Sequence, residues 1–264
     1  MKLYLQKGFT LVELAIVLMI IGLLIGGVLR GQELMENARV TSTLQQIPTF
    51  DAAVSTFRDT YGALPGDMIN PGQRIPNCVD LCDNSGNGDR HVGGDGHVTS
   101  VLVDDLTGGY YNIPTGEYRT FWYHLAAAKL ISGVNPRGDL NNPDGEWGVS
   151  NPPAKLGGGF AAIEAAIPAN ASSSPGFDAA YGLYLVLRQD AGIANNMALQ
   201  FNPGTQGVVS TPRAQQMDLK IDDGKTLSGD VRGLGKRRGC REDYDRPADR
   251  TVEKACGLLI RIQG

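Results

Sequence analysis

The sequence predicts an α+β protein: a long N-terminal helix, membrane-spanning in its first half, packed on a C-terminal globular head of strands and long loops. Three observations predict it. An apolar run covers Phe9 to Leu29, an apolar stripe at helical period extends from Val40 to Tyr61, and the rest is rich in glycine and proline around a few strand-like runs.

The first run holds about 21 residues, which at about 1.5 Å rise each reach roughly 30 Å, the thickness of a bilayer core. Glu13 is its only charged residue. A lone carboxylate in a spanning segment is costly and asks for a partner. If the chain is cut after Gly8, a new terminal amine stands on Phe9, about one helical turn from Glu13. Lys2 and Lys7 precede the span, whereas Arg30 is offset by Glu33 and Glu36. The positive-inside bias therefore keeps the first residues cytoplasmic and sends the remainder across. A conventional secretory signal would end in a small-residue cleavage site; here the run continues through Leu24 to Arg30. An uncleaved signal anchor would share this topology.

The stripe consists of Val40, Leu44, Ile47, Phe50, Val54, Phe57 and Tyr61, with Gln45, Gln46, Asp51, Thr56 and Arg58 between them. One helix is expected from Phe9 to Tyr61, about 80 Å long if unbroken. Pro48 lacks a backbone donor, and Gly22, Gly26, Gly27 and Gly31 weaken the end of the span, so a bend is expected at one of these. Gly62 suits a C-terminal cap and Pro65 a stop.

The residues Lys7-Gly8-Phe9-Thr10-Leu11-Val12-Glu13-Leu14 resemble the class III leader of type IV pilins and type II secretion pseudopilins. The resemblance implies cleavage between Gly8 and Phe9 by an inner-membrane prepilin peptidase and N-methylation of Phe9. It implies assembly with other pilin or pseudopilin subunits, on an inner-membrane assembly platform, into a helical filament. There Glu13 would pair with the terminal amine of a neighbouring subunit as it leaves the lipid bilayer. It also implies that the helix lies on an antiparallel β-sheet. The words from Phe57 to Met68 look like the helix-exit segment of many pseudopilin-like and minor-pilin-like proteins, so the resemblance reaches Met68. Many type IV pilins have a proline where this chain has Arg30, a departure that leaves the glycines as the flexible points.

In the head, Arg119 to Ile131 reads as an amphipathic helix with Phe121, Trp122, Leu125, Ala128 and Leu130 inward. Residues 133–180, rich in Gly, Pro, Asn and Ser, read as long surface loops. Strands are expected at Gly182–Arg188, Asn196–Phe201 and Gly257–Ile262. A helix is expected to begin at Thr211-Pro212, with Thr211 as its cap, and to stop near Asp222-Asp223-Gly224.

The four cysteines fall into close pairs, and in an exported chain an even count favours disulfides. Three connectivities are open, and the sequential one, Cys78 with Cys82 and Cys240 with Cys256, ranks first. The second bond would close a loop of about 15 residues, worth roughly 3 kcal/mol in the chain-entropy model, and resembles the disulfide-bounded C-terminal region of many type IV pilins. A zinc site of Cys78, Cys82, His91 and His97 is the alternative for the first pair, although the Cys-to-His gap is short for it. Calcium (Ca2+) is the ion suited by Asp83, Ser85, Asn87 and Asp89, with Gly88 at the sixth position, like the first half of an EF-hand loop. The glutamate of the twelfth position is replaced by Gly94, next to Asp95, and a solvated turn is the competing reading. Asp218, Asp222 and Asp223 form a second acidic group, read as structural.

Net charge is −4, or −6 without Lys2 and Lys7, which argues against general nucleic-acid binding. Lys236, Arg237, Arg238 and Arg241 are the only basic cluster. No GxSxG or HExxH pattern occurs, and His91, His97 and His124 adjoin no nucleophile motif. The expected organisation is a leader at 1–8, a transmembrane and filament-core helix at 9–29, an amphipathic helix at 30–61 and a head at 62–264. The head would be periplasmic while the chain sits in the inner membrane, and later part of a filament in the periplasm or at the cell surface. The function expected is that of a non-enzymatic structural subunit. The alternative is a membrane-anchored binding module, such as an adhesive or DNA-capturing minor pilin using Arg237 and Arg238.

Overall fold

Leu11 to Tyr61 form one α-helix (α1) of 51 residues, about 77 Å long. The computed structural model describes residues 10–93, 99–100, 117–138, 146–167, 180–189, 207–234, 240, 244–245, 254 and 256–263. Helix α1 runs through Pro48, whose ring is exposed. The Leu44 carbonyl that loses its donor therefore lies on the solvent side of the helix. Gly62 ends α1 in the left-handed region (φ 66°), donating its N–H to the Arg58 carbonyl, a conformation that costs a residue with a Cβ.

Burial divides α1 in two. No side chain from Thr10 to Arg39 is buried, whereas Val40, Thr43, Ile47, Phe50, Ala53, Val54 and Phe57 are. The second set recurs every three or four residues and faces the head. Polar contacts from Asn37 onward also hold α1 to the head. Arg213 donates to Asn37 Oδ1 (2.6 Å), Gln46 donates to the Pro153 carbonyl (3.0 Å), the Leu156 N–H donates to Thr43 Oγ1 (3.1 Å), and the Gln263 N–H donates to Asp51 Oδ1 (2.9 Å).

After α1 come a short helix α2 (Pro71–Arg74), a 3-10 turn (Asp80–Asp83), strand β1 (Thr99–Ser100) and helix α3 (Glu117–Ala127). Strands β2 (Gly159–Ile167) and β3 (Ala180–Arg188), helix α4 (Thr211–Ile221) and strands β4 (Val231–Leu234) and β5 (Gly257–Ile262) complete the order. The sheet order is β1-β2-β3-β5-β4. Strands β2, β3, β5 and β4 are antiparallel, and β1 joins the edge of β2 in parallel. The α+β architecture with an antiparallel sheet thus stands.

Phe50 of α1 meets Trp122 of α3 edge-on at 5.1 Å between ring centres and Phe160 of β2 at 5.3 Å, so helix, helix and sheet share one aromatic junction. Burying each such ring contributes about 1.5–3 kcal/mol, plus about 0.5–1.5 kcal/mol for favourable ring geometry. At the other end of the sheet, the Val208 and Val209 N–H groups donate to the Cys256 carbonyl, and Cys240 is bonded to Cys256. That bond lies between the start of α4 and the start of β5.

Several expectations are corrected. Residues 133–180 are not all loop, because β2 lies inside them. Its Ala-rich Gly-Phe-Ala-Ala-Ile-Glu-Ala-Ala-Ile run has weak strand propensity, but nine residue pairs with β3 and burial of Phe160 to Ile163 override it. Strand β4 gave no sequence signal beyond Val-Arg-Gly-Leu. Helix α3 ends at Ala127, before Ile131. Helix α4 is capped by Ser210, with Thr211 already helical and Pro212 in the first turn. The expected strand at Asn196–Phe201 lies outside the described residues.

Candidate functional site

Thr10 caps α1, and Glu13 answers it in a reciprocal capping box. The Glu13 N–H donates to Thr10 Oγ1 (3.2 Å), while Glu13 Oε2 accepts from the Thr10 N–H (2.9 Å) and hydroxyl (2.8 Å). The signature Thr-x-x-Glu carries this geometry in the sequence, a capping-box signal at Thr10 separate from the leader resemblance. Helical side chains lean toward the N-terminus, so the carboxylate reaches back to the peptide nitrogen that follows Phe9. Gly8 and Phe9 themselves lie outside the described residues.

Around and beyond Glu13 the helix surface is apolar and uncovered. Leu11, Leu18, Met19, Leu23 and Leu29 are all exposed. By length and composition this helix is able to cross a membrane. Arg30 and Glu33 then pair at 3.1 Å on the exposed surface at the end of the run, a contact worth only a few tenths of a kcal/mol, about 0.3–0.5.

The head contributes a second constellation. Buried carboxylates of Asp67, Glu117 and Glu164 receive backbone N–H groups from one loop. Asn87 and Gly93 donate to the two Glu117 oxygens (2.9 and 2.7 Å), Arg90 to Asp67 Oδ2 (2.9 Å) and Val92 to Glu164 Oε2 (2.5 Å). His91 Nδ1 meets Glu164 Oε1 at 2.8 Å. That bond raises the His91 pKa above its usual value. Burial pushes the Asp67 carboxyl up to about 6, aided by the nearby charges of Glu117 and Asp89. At Gly86 a Cβ would strike the Asp67 backbone at about 2.4 Å, so the close wrap depends on glycine.

His124 fixes the same region from inside. Its Nδ1 accepts from the Gly66 N–H (2.9 Å), so Nε2 carries the proton toward the Cys82 carbonyl at 3.0 Å. Burial lowers its pKa to about 4, which keeps the ring neutral. The ring also stacks on Phe57 at 6.1 Å. His124 therefore ties the exit of α1 to the Cys78–Cys82 turn and has no solvent-facing nitrogen for catalysis.

The residues expected to hold calcium are used locally. Asp83 Oδ1 accepts from the Gly72 N–H (2.8 Å), and Ser85 Oγ accepts from the Asn70 N–H (3.0 Å). Asn87 Oδ1 accepts from the Asp89 N–H, and Asp89 accepts from Asn87 Nδ2 and the His91 N–H. These bonds build the loop; Asp95 lies outside the described residues. Cys78 is bonded to Cys82, so the sulfurs that zinc would need are bonded to each other; His97 is outside the description. Lys236, Arg237, Arg238 and Arg241 are outside it too. Asp218, Asp222 and Asp223 do converge, each with a ligand atom within 4.8 Å of the others.

Comparison with known proteins bears on the N-terminal segment. A family model, the prokaryotic N-terminal methylation motif, matches residues 4–29. No curated protein and no solved structure matches the chain. The matched residues contain Gly8, Phe9, the Thr10–Glu13 capping box and the apolar span. That motif, leading into a long, uncovered apolar helix and an α+β head, supports likeness to the type IV pilins and pseudopilins.

Proposed function

We propose that this protein is a structural, non-enzymatic subunit of a type IV pilus-like or type II secretion pseudopilus filament. The observation that carries the reading is the methylation motif at 4–29, leading into a helix with no buried side chain among the described residues from Thr10 to Arg39. A surface so apolar is suited to two surroundings: lipid before assembly and other copies of the helix after it.

In this reading a prepilin peptidase cuts after Gly8, and the amine of Phe9 is methylated. The chain rests as a single-pass inner-membrane protein, with its N-terminus on the cytoplasmic side and its head in the periplasm. The assembly platform then moves it into a filament with other subunits. Glu13 supplies register. Its capping box holds the carboxylate against its own helix start, so exchange toward a neighbour's amine replaces one set of N–H partners with another and never leaves the charge bare in lipid.

Intact-mass analysis of protein from cells that contain the peptidase tests processing. The expected species lacks residues 1–8 and carries one added methyl; a chain still beginning at Met1 overturns the reading. Glu13→Ala is expected to insert into the membrane normally but to be lost from sheared filaments. Normal incorporation would remove the register role.

A further inference from the structure

We propose that the cleft between the last turns of α1 and the end of the sheet binds a monocarboxylate with a short apolar body, of the class of an N-acylated dipeptide acid, through the guanidinium groups of Arg58 and Arg261. The site lies apart from the N-terminal segment and does not rest on the filament reading. The cleft holds about 620 Å³, within the range of small-ligand sites, which join apolar walls to a few placed polar groups. Asp51 and Arg58 line it from α1, two helical turns apart on one face. Arg261 lines it from the end of β5. Leu64, Leu183 and Ile262 supply the apolar lining, the last two as a cross-strand pair of β3 and β5.

The two arginines are the groups in the cleft with donors to spare. Arg58 is exposed, and its guanidinium makes no hydrogen bond or ion pair among the described residues. Its place in the last turn of α1 suits a positive charge but occupies none of its N–H groups. Arg261 has the Asp230 carboxylate at 3.8 Å, beyond hydrogen-bond length. Its side chain lies over Gly182, where a Cβ would meet Arg261 Nε at 2.8 Å, so the glycine on β3 leaves room for it. A guanidinium presents its donors in a planar fork that matches a carboxylate.

Two of the acids in the cleft are already engaged. Asp51 Oδ1 accepts from the Gln263 N–H (2.9 Å), and Glu164 accepts from the Val92 N–H and meets His91 Nδ1 at 2.8 Å. The third, Asp230, is exposed. Three carboxylates against two guanidinium groups leave the lining with one net negative charge. That field disfavours a dianion such as phosphate, while the two donor forks still accept a single carboxylate. The combination selects a monoanion whose apolar part covers Leu64, Leu183 and Ile262.

The test titrates N-acetyl-leucyl-leucine into the full chain in detergent micelles, with blank micelles as the reference. Calorimetry is expected to show saturable binding. The C-terminal amide of the same dipeptide and inorganic phosphate are each expected to bind more weakly by about tenfold or more, the scale of one charge-assisted hydrogen bond. Arg58→Gln is expected to keep the parent's melting temperature and to lose affinity by the same factor, and Arg261→Gln to lose as much. Arg30→Gln, outside the cleft, is expected to bind as the parent does. Absence of saturable binding of the acid overturns the proposal, as does equal binding of the amide or of phosphate, or undiminished affinity in Arg58→Gln. Should Arg261→Gln fail to fold, Arg58→Gln decides the question.

Discussion

The two halves of α1 are one continuous helix but have different surroundings. Among the described residues no side chain before Val40 is buried, and up to Leu29 apolar residues face every direction; from Val40 on, one stripe is buried and the opposite face is polar. The first half depends on its medium for stability, and the second depends on the head. The difference teaches that helical continuity carries no information about what holds each turn in place. Apolar residues on all sides call for lipid or like helices, whereas an amphipathic pattern calls for a core.

The largest expected effect separates the halves directly. Phe57, fully buried against His124 and Tyr61, should cost about 3–5 kcal/mol of head stability when changed to Ala. Leu18→Ala, at a position 60 % exposed, should change head stability by less than about 0.5 kcal/mol. Denaturation in micelles, followed by Trp122 and Trp147 fluorescence, measures both. Equal losses would erase the comparison.

Protonation sharpens it next, because it acts only where the head clamps the helix. His124 has its pKa lowered from 6.5 to about 4. The unfolded chain therefore binds the proton first, and stability falls as pH drops from 6.5 toward 4, by roughly 3 kcal/mol at most. Asp67, raised from 3.8 to about 6, has the opposite sign: the native state takes up the proton first, and stability rises as pH drops through about 6 toward 3.8. Melting curves between pH 7 and pH 4 should therefore fall more steeply in Asp67→Asn than in the parent and less steeply in His124→Gln. Parallel curves for all three would show that neither group is linked to folding.

The smallest effect belongs to the uncovered half. Thr10→Ala removes the side-chain acceptor for the Glu13 N–H and should weaken the first turn by about 1 kcal/mol. Amide exchange at Leu11 to Leu14 should speed up, with head exchange unchanged; protection equal to that of the parent would deny the capping box a role.

Much of this contrast was legible in the sequence because its signals are local. The apolar run, the stripe, Gly62 as cap and the leader motif all act within a few residues. The carboxylate cradle was not legible, since Glu164 meets Val92 across 72 positions and Glu117 meets Gly93 across 24. Nothing local distinguishes those acids from solvated ones. The Asp83–Asp89 run illustrates the reverse difficulty. Its alternating oxygens look like a metal loop, yet the same side chains suffice to close turns. Strand β2 carries little local signal because alanine declares no side of a sheet; its partner β3, with Leu183, Leu185 and Leu187 against Tyr184 and Val186, does.

The strand order has a consequence for the schedule of biogenesis. Strand β4 is made before β5, yet among the described strands β5 is its one neighbour, and β5 sits between β4 and β3. A chain emerging N-terminus first can therefore anchor α1 while the far side of its sheet is still open. The Cys240–Cys256 bond spans the same interval, so oxidation cannot close it until β5 begins to arrive. In the proposed reading, membrane insertion comes early and completion of the head comes late. Under that reading, a tethered, unfinished molecule exists between the two events, told from a finished one by the unpaired edge of β3.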